Sequence, residues 1–152
     1  MKITLRSATI DDAEVLSDLC MASKKSHGYD ESFMERCKEE LTVTSSQIQD
    51  NYFWVAECEI ICGCACLKIE SDNAAGEIEA FFVHPEFQKL GVGRMLWNNI
   101  IQTAHKDQLS MLHLDSDPFA EGFYKKLGFT TVGYVPSGSI AGRTIPYMEM
   151  SL

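Results

Sequence analysis

Apolar and polar positions along the chain repeat with a period of two in some stretches and of about 3.6 in others. Ile3 and Leu5 alternate with polar neighbours, which predicts a short strand over residues 2–8. Thr9 can then cap a helix, and the apolar residues that follow recur at helical spacing, which predicts a helix over residues 10–24. The chain therefore begins with a strand that is followed directly by a helix.

The rest of the chain continues this pattern, with the clearest helical spacing in its second half. Apolar residues from Val92 to Ala104 recur three and four positions apart, which is the strongest helix signal in the sequence. Residues 71–76 are typical of a turn between two strands. The other predicted elements are a helix over 30–42, strands over 52–58, 60–70 and 77–83, a helix over 91–106, a strand over 109–114, a short helix over 118–127, and strands over 129–135 and 144–152.

This order of strands and helices predicts an α/β fold with a mixed sheet of about six to seven strands flanked by helices. The strands of the front half are joined by short turns and are expected to pair antiparallel, whereas the later strands alternate with helices. At 152 residues and 45% hydrophobic content, the sequence can form a real core. Because no repeat or linker divides it, we expect one domain over residues 1–152.

No segment of the sequence is typical of a membrane anchor or an export signal. A helix that spans a bilayer needs about 20 consecutive apolar residues, and no apolar run approaches that length. The opening residues include Lys2 and Arg6 and lack the apolar core of a signal peptide. We therefore expect a soluble, cytoplasmic protein with no membrane partner.

The formal net charge is −9, from 13 Lys and Arg residues against 22 Asp and Glu residues. A surface of this sign repels phosphate backbones, so we expect no nucleic-acid partner. Acidic residues outnumber basic ones in every large stretch except residues 84–110. An anionic ligand is therefore expected to bind near that stretch.

Six cysteines in a chain that is expected to stay unexported favour free thiols over disulfides. Cys62, Cys64 and Cys66 alternate with small residues, which predicts three sulfur atoms on one face of a strand. We interpret them as small buried hydrophobes, and the alternative is a thiolate metal site. The usual Cys-x-x-Cys spacing of such sites is absent, so no metal is predicted.

A glycine-containing segment lies between the strand over 77–83 and the strongest helix. Two glycines at the start of a helix let backbone N–H groups approach a ligand, and these groups carry positive partial charge. We interpret the segment as a phosphate cradle, and the alternative is a plain glycine-softened turn. It lacks the Gly-Lys-Ser/Thr of a Walker A loop and the third small residue of a dinucleotide fingerprint. In order, its residues are Gln88, Lys89, Leu90, Gly91, Val92, Gly93 and Arg94.

Residues 77–94 resemble motif A of the GNAT superfamily of acyl-CoA-dependent N-acyltransferases, a strand ending in Val followed by Arg/Gln-x-x-Gly-x-Gly/Ala. Residues 117–129 resemble a second signature of this family, Asn-x-x-Ala-x-x-Phe-Tyr-x-x-x-Gly-Phe, with Asp117 where Asn is usual. The opening strand and helix are similar too, so the resemblance covers nearly the whole chain. It implies a GNAT fold with two splayed central strands and an enzyme that uses acetyl-CoA.

The resemblance also assigns the coenzyme to particular parts of this chain. Backbone groups of Phe82 and Val83 match those that pair with the pantetheine arm in the family. The pyrophosphate is expected on the main chain of residues 88–94, where basic side chains add positive charge. Asp117 and Phe123 also match positions near the coenzyme.

The reaction that the resemblance implies is direct attack of an amine on the acetyl thioester, which requires no protein nucleophile. The amine must lose a proton, and the departing thiolate benefits from gaining one. The resemblance gives the acid role to Tyr124, whose alternative role is that of a core aromatic residue. Glu77 and Glu79 are two apart on a strand and face the same way, so alternation leaves both as candidate bases. Glu79 is favoured because it lies nearer to the coenzyme gap.

Three residues are candidates for the acceptor pocket: His27 and Tyr29 between the first two helices, and Arg143 just before the last strand. We expect the acceptor to be a primary amine of a small molecule, or a peptide amine. The alternative function is a non-catalytic acyl-CoA-binding sensor on the same fold, against which Tyr124 and the two carboxylates argue. The resemblance also allows a homodimer, for which the sequence carries no clear signal.

Overall fold

The computed structural model describes residues 2–70 and 74–152, which form seven strands and five α-helices. The strands are β1 (Thr4–Ser7), β2 (Tyr52–Glu57), β3 (Ile61–Glu70), β4 (Ala75–Val83), β5 (Met111–Asp115), β6 (Thr130–Pro136) and β7 (Thr144–Ser151). The helices are α1 (Ala13–Lys25), α2 (Glu31–Leu41), α3 (Ser45–Asp50), α4 (Val92–Lys106) and α5 (Glu121–Leu127). Single 3₁₀ turns lie before α1, between β4 and α4, and before α5.

The seven described strands form one mixed sheet in the order β1-β2-β3-β4-β5-β7-β6. Neighbouring strands are antiparallel except for β4 and β5, which run parallel. Parallel neighbours need a long crossover connection, and α4 lies within it. A mixed sheet flanked by helices confirms the predicted fold class.

Helices cover both faces of the sheet and enclose two apolar clusters. One face packs against α4 and α5, with Leu96, Ile100 and Tyr124 buried in the cluster. The opposite face packs against α1 and α2, with Leu16 and Met34 buried in the cluster. Because the central sheet is covered on both sides, β2 and β3 consist of nearly continuous runs of buried residues.

β4 and β5 separate after a short paired segment. Pairing joins Ala75–Glu77 of β4 to Met111–His113 of β5 and does not extend along the rest of β4. β4 also contains a bulge, because Ile78 and Ala80 face adjacent residues of β3 and Glu79 between them is the extra residue. A bulge increases the local twist of a strand, which helps to turn β4 away from β5. The gap between these strands is the splay that the sequence analysis expected.

One helix was missed by the sequence analysis. α3 has six residues, and the Thr44 side chain caps it by accepting a hydrogen bond from the Gln47 N–H at 3.1 Å. Ile48 is the one buried residue of this helix. A helix this short, with a single apolar position, shows no periodicity that a sequence pattern can detect.

The predicted turn over residues 71–76 is wrong at its end. Ala75 and Gly76 belong to β4 and pair with Glu70 and Ile69 of β3. Ala75 is buried, and a Cβ at Gly76 would lie 2.9 Å from side-chain atoms of the packed core, so this end of the strand is held by close packing. Residues 71–73 of the predicted turn lie outside the described residues.

The prediction that three alternating cysteines share one face is wrong for Cys62. Cys64 and Cys66 are buried on the side of α1 and α2, whereas Cys62 is buried on the side of α4. On β2, Ala56 pairs with Gly63, and the next residue, Glu57, pairs with Ile61. Cys62 is therefore an extra residue on β3, and it breaks the alternation. All six cysteines are free and five of them are buried, in agreement with their interpretation as small hydrophobes.

Candidate functional site

An open cavity lies where β4 and β5 separate. It is lined by residues 78–82 of β4, by residues 115–117 at the end of β5, and by Tyr124 of α5. Its outer lining comes from α1, from α2 with the segment after it, and from the loop between β6 and β7. Where neighbouring strands part, backbone N–H and C=O groups lose their strand partners and become available to a ligand. The cavity therefore combines main-chain groups of β4, where it has separated from β5, with side chains from several other segments.

Tyr124 is buried in the core and also lines this cavity. Its ring centroid lies 6.1 Å from that of Phe81, 5.3 Å from that of Phe123 and 5.6 Å from that of Phe129. Burial raises the pKa of Tyr124 above its ordinary value of 10, with no contribution from a hydrogen bond to the described residues. The phenol is therefore protonated and neutral at physiological pH, and it is at the same time a core aromatic residue.

Of the two candidate bases, Glu79 lines the cavity and Glu77 does not. Both lie on the side of the sheet that faces α1 and α2, and Cys66 Sγ lies 4.0 Å from Glu79 Oε1. Glu79 is exposed, whereas Glu77 is half-buried where β4 still pairs with β5. Burial, followed by the negative charge of Glu79, raises the pKa of Glu77. The two carboxylates thus interact, and Glu79 is the one that a cavity ligand can reach.

The segment over residues 88–94 enters α4 through two residues with left-handed backbone. The φ angle is 66° at Lys89 and 87° at Gly91, which is the N-cap of the helix. No side chain of the described residues caps α4, so its first N–H groups are available to an anion. Among the described residues, a Cβ at Gly91 would meet nothing within 4 Å, so the space beside Gly91 is open to a ligand. A Cβ at Gly93 would have ordinary contacts at 3.8 Å with the rings of Phe123 and Phe81.

Two aromatic residues lie between this segment and the cavity. The ring centroids of Phe81 and Phe123 are 5.5 Å apart, and both rings lie beside Gly93. Phe81 and Phe82 line the cavity, whereas Val83 packs against the cluster beneath α4. Phe123 is 40% exposed. An elongated ligand that runs from the helix N-terminus to the cavity would pass along this apolar wall.

Asp117 lies at the centre of a polar network. Its carboxylate accepts hydrogen bonds from the Phe119 N–H at 2.8 Å and from the Tyr29 hydroxyl at 2.9 Å, and it pairs with Lys24 Nζ at 3.0 Å. Arg143 Nη2 donates to the Tyr29 hydroxyl at 2.8 Å and lies 3.9 Å from Asp117 Oδ2. Burial alone would raise the pKa of Asp117, but the Phe119 N–H and Lys24 outweigh it and lower the pKa. By resemblance Asp117 matches a position near the coenzyme. In this structure its carboxylate is bonded to other groups of the protein itself.

The three residues predicted for the acceptor pocket converge on this network. Arg143 lies over the Tyr29 ring at 5.4 Å from its centroid, and the His27 ring stacks on that of Phe119 at 5.1 Å. His27 and Arg143 line the cavity, whereas Tyr29 does not. The Tyr29 hydroxyl accepts from Arg143 and donates to Asp117, and the Tyr29 ring lies edge-on to that of His27 at 6.4 Å between centroids. Burial, followed by the hydrogen bond to Asp117, raises the pKa of Tyr29 to about 12. Tyr29 therefore stays protonated and keeps donating at physiological pH.

Three charged residues of the cavity lining were missed by the sequence analysis: Lys24, Glu40 and Asp115. Asp115 is the last residue of β5, and burial raises its pKa. The position of Asp115 at the carboxyl end of a parallel strand, where α/β sheets bind ligands, is a signal that could have identified it. Lys24 and Glu40 carry no such signal, because their partners Asp117 and Ser139 are 93 and 99 residues away in sequence.

Residues 2–70 and 74–152 contain neither a candidate metal site nor a helix suited to span a membrane. No group of three or more His, Cys, Asp or Glu side chains is arranged to hold a metal ion. His113 of β5 pairs with Glu70 of β3. Across the same part of the chain, no helix combines the length and the apolar content that crossing a membrane requires.

Comparison with known proteins places this arrangement in a family. Residues 9–152 match the model of the acetyltransferase (GNAT) domain. A segment of 47 residues is 40% identical to the uncharacterized N-acetyltransferase ycf52 of Pyropia yezoensis. This segment covers 31% of this chain and 27% of that protein. A segment of 49 residues is 41% identical to the protein of the same description from Gracilaria tenuistipitata var. liui, covering 32% of this chain and 27% of the relative. The matched segment thus spans little more than a quarter of these relatives.

Solved structures share the fold over the full chain. The PaiA N-acetyltransferase of Thermoplasma acidophilum, solved in complex with coenzyme A, has a TM-score of 0.78 at 22% identity and covers 100% of both chains. A GCN5-related N-acetyltransferase structure from Rhodopseudomonas palustris has a TM-score of 0.81 at 21% identity, covering 100% of this chain and 97% of the other. The ribosomal-protein-S18-alanine N-acetyltransferase of Escherichia coli has a TM-score of 0.71 at 18% identity, covering 99% of this chain and 94% of the other. At these identities the likeness establishes the fold.

Proposed function

Because the chain belongs to the GNAT acetyltransferase domain family, we propose that it transfers the acetyl group of acetyl-CoA directly to a primary amine. The acceptor is an amine of a small molecule or of a peptide, and both substrates bind together in a ternary complex. The observation that carries this proposal is the cavity between β4 and β5, which is lined by both Glu79 and Tyr124. Acylation of an amine needs a proton acceptor and a proton donor in one site.

The segment before α4 fits the pyrophosphate of the coenzyme. The uncapped helix start and the open space beside Gly91 would let the main chain of residues 88–94 donate hydrogen bonds to phosphate oxygens. Lys89 and Arg94 are exposed in the same segment and would add positive charge. A helix N-terminus with two basic side chains is therefore the part of this acidic protein best suited to an anion.

The gap between β4 and β5 fits the pantetheine arm. Beyond Glu77 the edge of β4 that faces β5 pairs with no strand among the described residues, so main-chain groups at Phe82 and Val83 would pair with the amides of that arm. Phe123 and Phe81 would form an apolar wall between the cradle and the cavity. Bound in this way, acetyl-CoA supplies an activated thioester at the mouth of the acceptor cavity.

The side chains of the cavity supply the proton transfers. An amine attacks as the free base, so Glu79 takes the proton of the acceptor ammonium, directly or through a water molecule. Tyr124 donates a proton to the departing sulfur, because burial keeps its hydroxyl protonated. Glu77 is the alternative base. Glu79 is preferred because it lines the cavity and Glu77 does not. No protein nucleophile takes part, so no covalent acetyl-protein species forms.

Release of free thiol from acetyl-CoA over a panel of primary amines tests this proposal. We expect thiol release that depends on both substrates, together with a product whose mass shows one added acetyl group. A protein that binds coenzyme A in calorimetry but releases no thiol with any amine would be a non-catalytic acyl-CoA sensor. The same purification from host cells that lack the gene controls for a contaminating acetyltransferase, because contamination would release thiol without this protein.

A further inference from the structure

Asp117 joins three segments of the chain that border the cavity. Its carboxylate pairs with Lys24 at the end of α1 at 3.0 Å and accepts from the Tyr29 hydroxyl in the following loop at 2.9 Å. The Tyr29 hydroxyl in turn accepts from Arg143 Nη2 at 2.8 Å, which extends the connection to the loop between β6 and β7. Lys24 and Tyr29 precede Asp117 by 93 and 88 residues, so the fold rather than local sequence assembles the network.

The network places two cations around one anion in a largely buried position. The side chains of Lys24, Arg143 and Asp117 are 13%, 21% and 14% exposed. Lys24 Nζ lies 3.0 Å and Arg143 Nη2 lies 3.9 Å from Asp117 Oδ2. Both basic side chains also lie over the stacked rings of Tyr29 and Phe33. Two cations this close repel each other in a medium of low dielectric constant unless an anion lies between them.

We propose that Asp117 is a positioning residue for the acceptor amine, because its charge holds the loop after α1 and the loop before β7 against the end of β5. The inference rests on the proposed function, since it takes the cavity as the acceptor site. Lys24 and His27 on one side and Arg143 on the other line that cavity. A shift of either loop would therefore move the surfaces against which the amine binds.

The role depends on the charge of Asp117 and not on its size. Asn, which is usual at this place in the family signature, has an oxygen that can still accept from the Phe119 N–H and cap the turn before α5. An amide carries no charge, so Lys24 and Arg143 would lose the anion that both of them contact. The Phe119 N–H and Lys24 outweigh burial and hold the pKa of Asp117 below its usual value, so the charge is present at physiological pH.

Asp117→Asn is the direct test. We expect the KM for the amine to rise about tenfold, with kcat and the Kd of acetyl-CoA nearly unchanged. Amide hydrogen exchange over residues 26–30 and 137–143 should become faster. Asp107→Asn is the matched control, because Asp107 also accepts a tyrosine hydroxyl, that of Tyr52 at 2.9 Å, but lies outside the cavity lining. The control should change neither the KM nor the exchange of these two loops.

A second variant keeps the test valid if Asp117→Asn is unstable. Lys24→Met removes one of the paired cations and leaves the cap of the Phe119 N–H intact. Lys24→Met alone breaks the pair between Asp117 and the end of α1 while Asp117 keeps its charge. It should therefore raise the amine KM, speed amide exchange over residues 26–30 and leave the Kd of acetyl-CoA nearly unchanged. Unchanged exchange over residues 26–30 in a folded Lys24→Met variant would overturn the proposal.

Other outcomes also separate this inference from the function on which it rests. An increased Kd of acetyl-CoA in Asp117→Asn, with an unchanged amine KM, would overturn the proposal and assign Asp117 to the coenzyme. Unchanged exchange in both loops would overturn it as well, whether or not any amine is turned over. A wild-type protein that releases no thiol with any amine would contradict the proposed function, and the exchange measurement would still decide whether Asp117 holds the loops.

Discussion

Val92, the first residue of α4, packs so closely on Gly63 of β3 that a Cβ at Gly63 would lie 2.6 Å from Val92 Cγ1. The same Cβ would lie 3.2 Å from Leu96 Cδ1 and 3.3 Å from the backbone oxygen of Phe82. A valine side chain has one strongly preferred rotamer in a helix, so it cannot turn aside at low cost. The absence of a side chain at Gly63 therefore sets how close the start of α4 lies to the sheet.

Gly63→Ala is expected to lower stability and to weaken binding of acetyl-CoA together. Overpacking of this kind costs about 1–3 kcal/mol of unfolding free energy, and relief of the clash displaces the helix start that forms the cradle. Urea denaturation and calorimetric titration measure the two effects. Gly133→Ala is the control, since a Cβ at Gly133 would meet nothing within 4 Å. Wild-type stability in Gly63→Ala would contradict this account of how α4 is seated.

Gly93→Val should weaken acetyl-CoA binding far more than Lys89→Ala. A Cβ at Gly93 has only ordinary protein contacts at 3.8 Å, so the fold tolerates it, but the branched side chain fills the space beside the helix start. Loss of one hydrogen bond to a charged group costs about 1.5–3 kcal/mol, or roughly tenfold or more in Kd. The exposed charge of Lys89 is screened by salt and contributes less. Calorimetry that finds equal affinities in Gly93→Val and the wild type would remove the cradle assignment.

Glu79→Gln should lower kcat/KM above the pKa of the base more than Glu77→Gln does, and it should remove the decline at low pH. A general base works only when deprotonated, so the wild-type rate falls as the pH drops through the pKa of the base. The amide keeps the shape of the side chain but cannot accept the proton, which removes this dependence and lowers the rate above that pKa. Profiles of kcat/KM against pH for both variants test the assignment. A larger effect of Glu77→Gln would place the base at the half-buried carboxylate instead.

Tyr124→Phe should lower kcat by roughly 10 to 100-fold and change the Kd of acetyl-CoA only a few-fold. General acid catalysis is commonly worth about 100 to 10,000-fold, but a thiol of pKa about 8.5 leaves fairly well without a proton, which reduces the benefit. Because burial raises the pKa of Tyr124 above 10, the wild-type kcat should show no alkaline decline from this group below that pH. A normal kcat in a variant with a normal melting temperature would exclude the acid role.

Much of the cradle and its strand could be predicted because their signals are local. The helical spacing from Val92 onward and the two glycines before it are contiguous in sequence, and the structure begins α4 at Val92. Strand ends and faces were harder, since they depend on partners. The extra residues at Cys62 and Glu79 each reflect a register shift against a neighbouring strand, which alternation within one strand cannot reveal.

The walls of the cavity were the least predictable part. By sequence Glu40 is one of several acidic residues of α2, and only the fold brings the loop carrying Ser139 against it. Lys24 is an ordinary helix-terminal lysine by sequence, and its pairing with Asp117 exists only because α1 and the end of β5 meet in the fold. Contacts between such distant segments follow from tertiary packing, which period and composition do not encode.

A crystal structure with coenzyme A and an amine bound would test the central claim most directly. The account predicts the pantetheine arm between β4 and β5, phosphate oxygens on N–H groups of residues 88–94, the sulfur within hydrogen-bonding reach of Tyr124 Oη, and the amine nitrogen near Glu79. Coenzyme bound away from the β4–β5 gap, or a sulfur beyond the reach of Tyr124 with the amine outside the cavity, would contradict it.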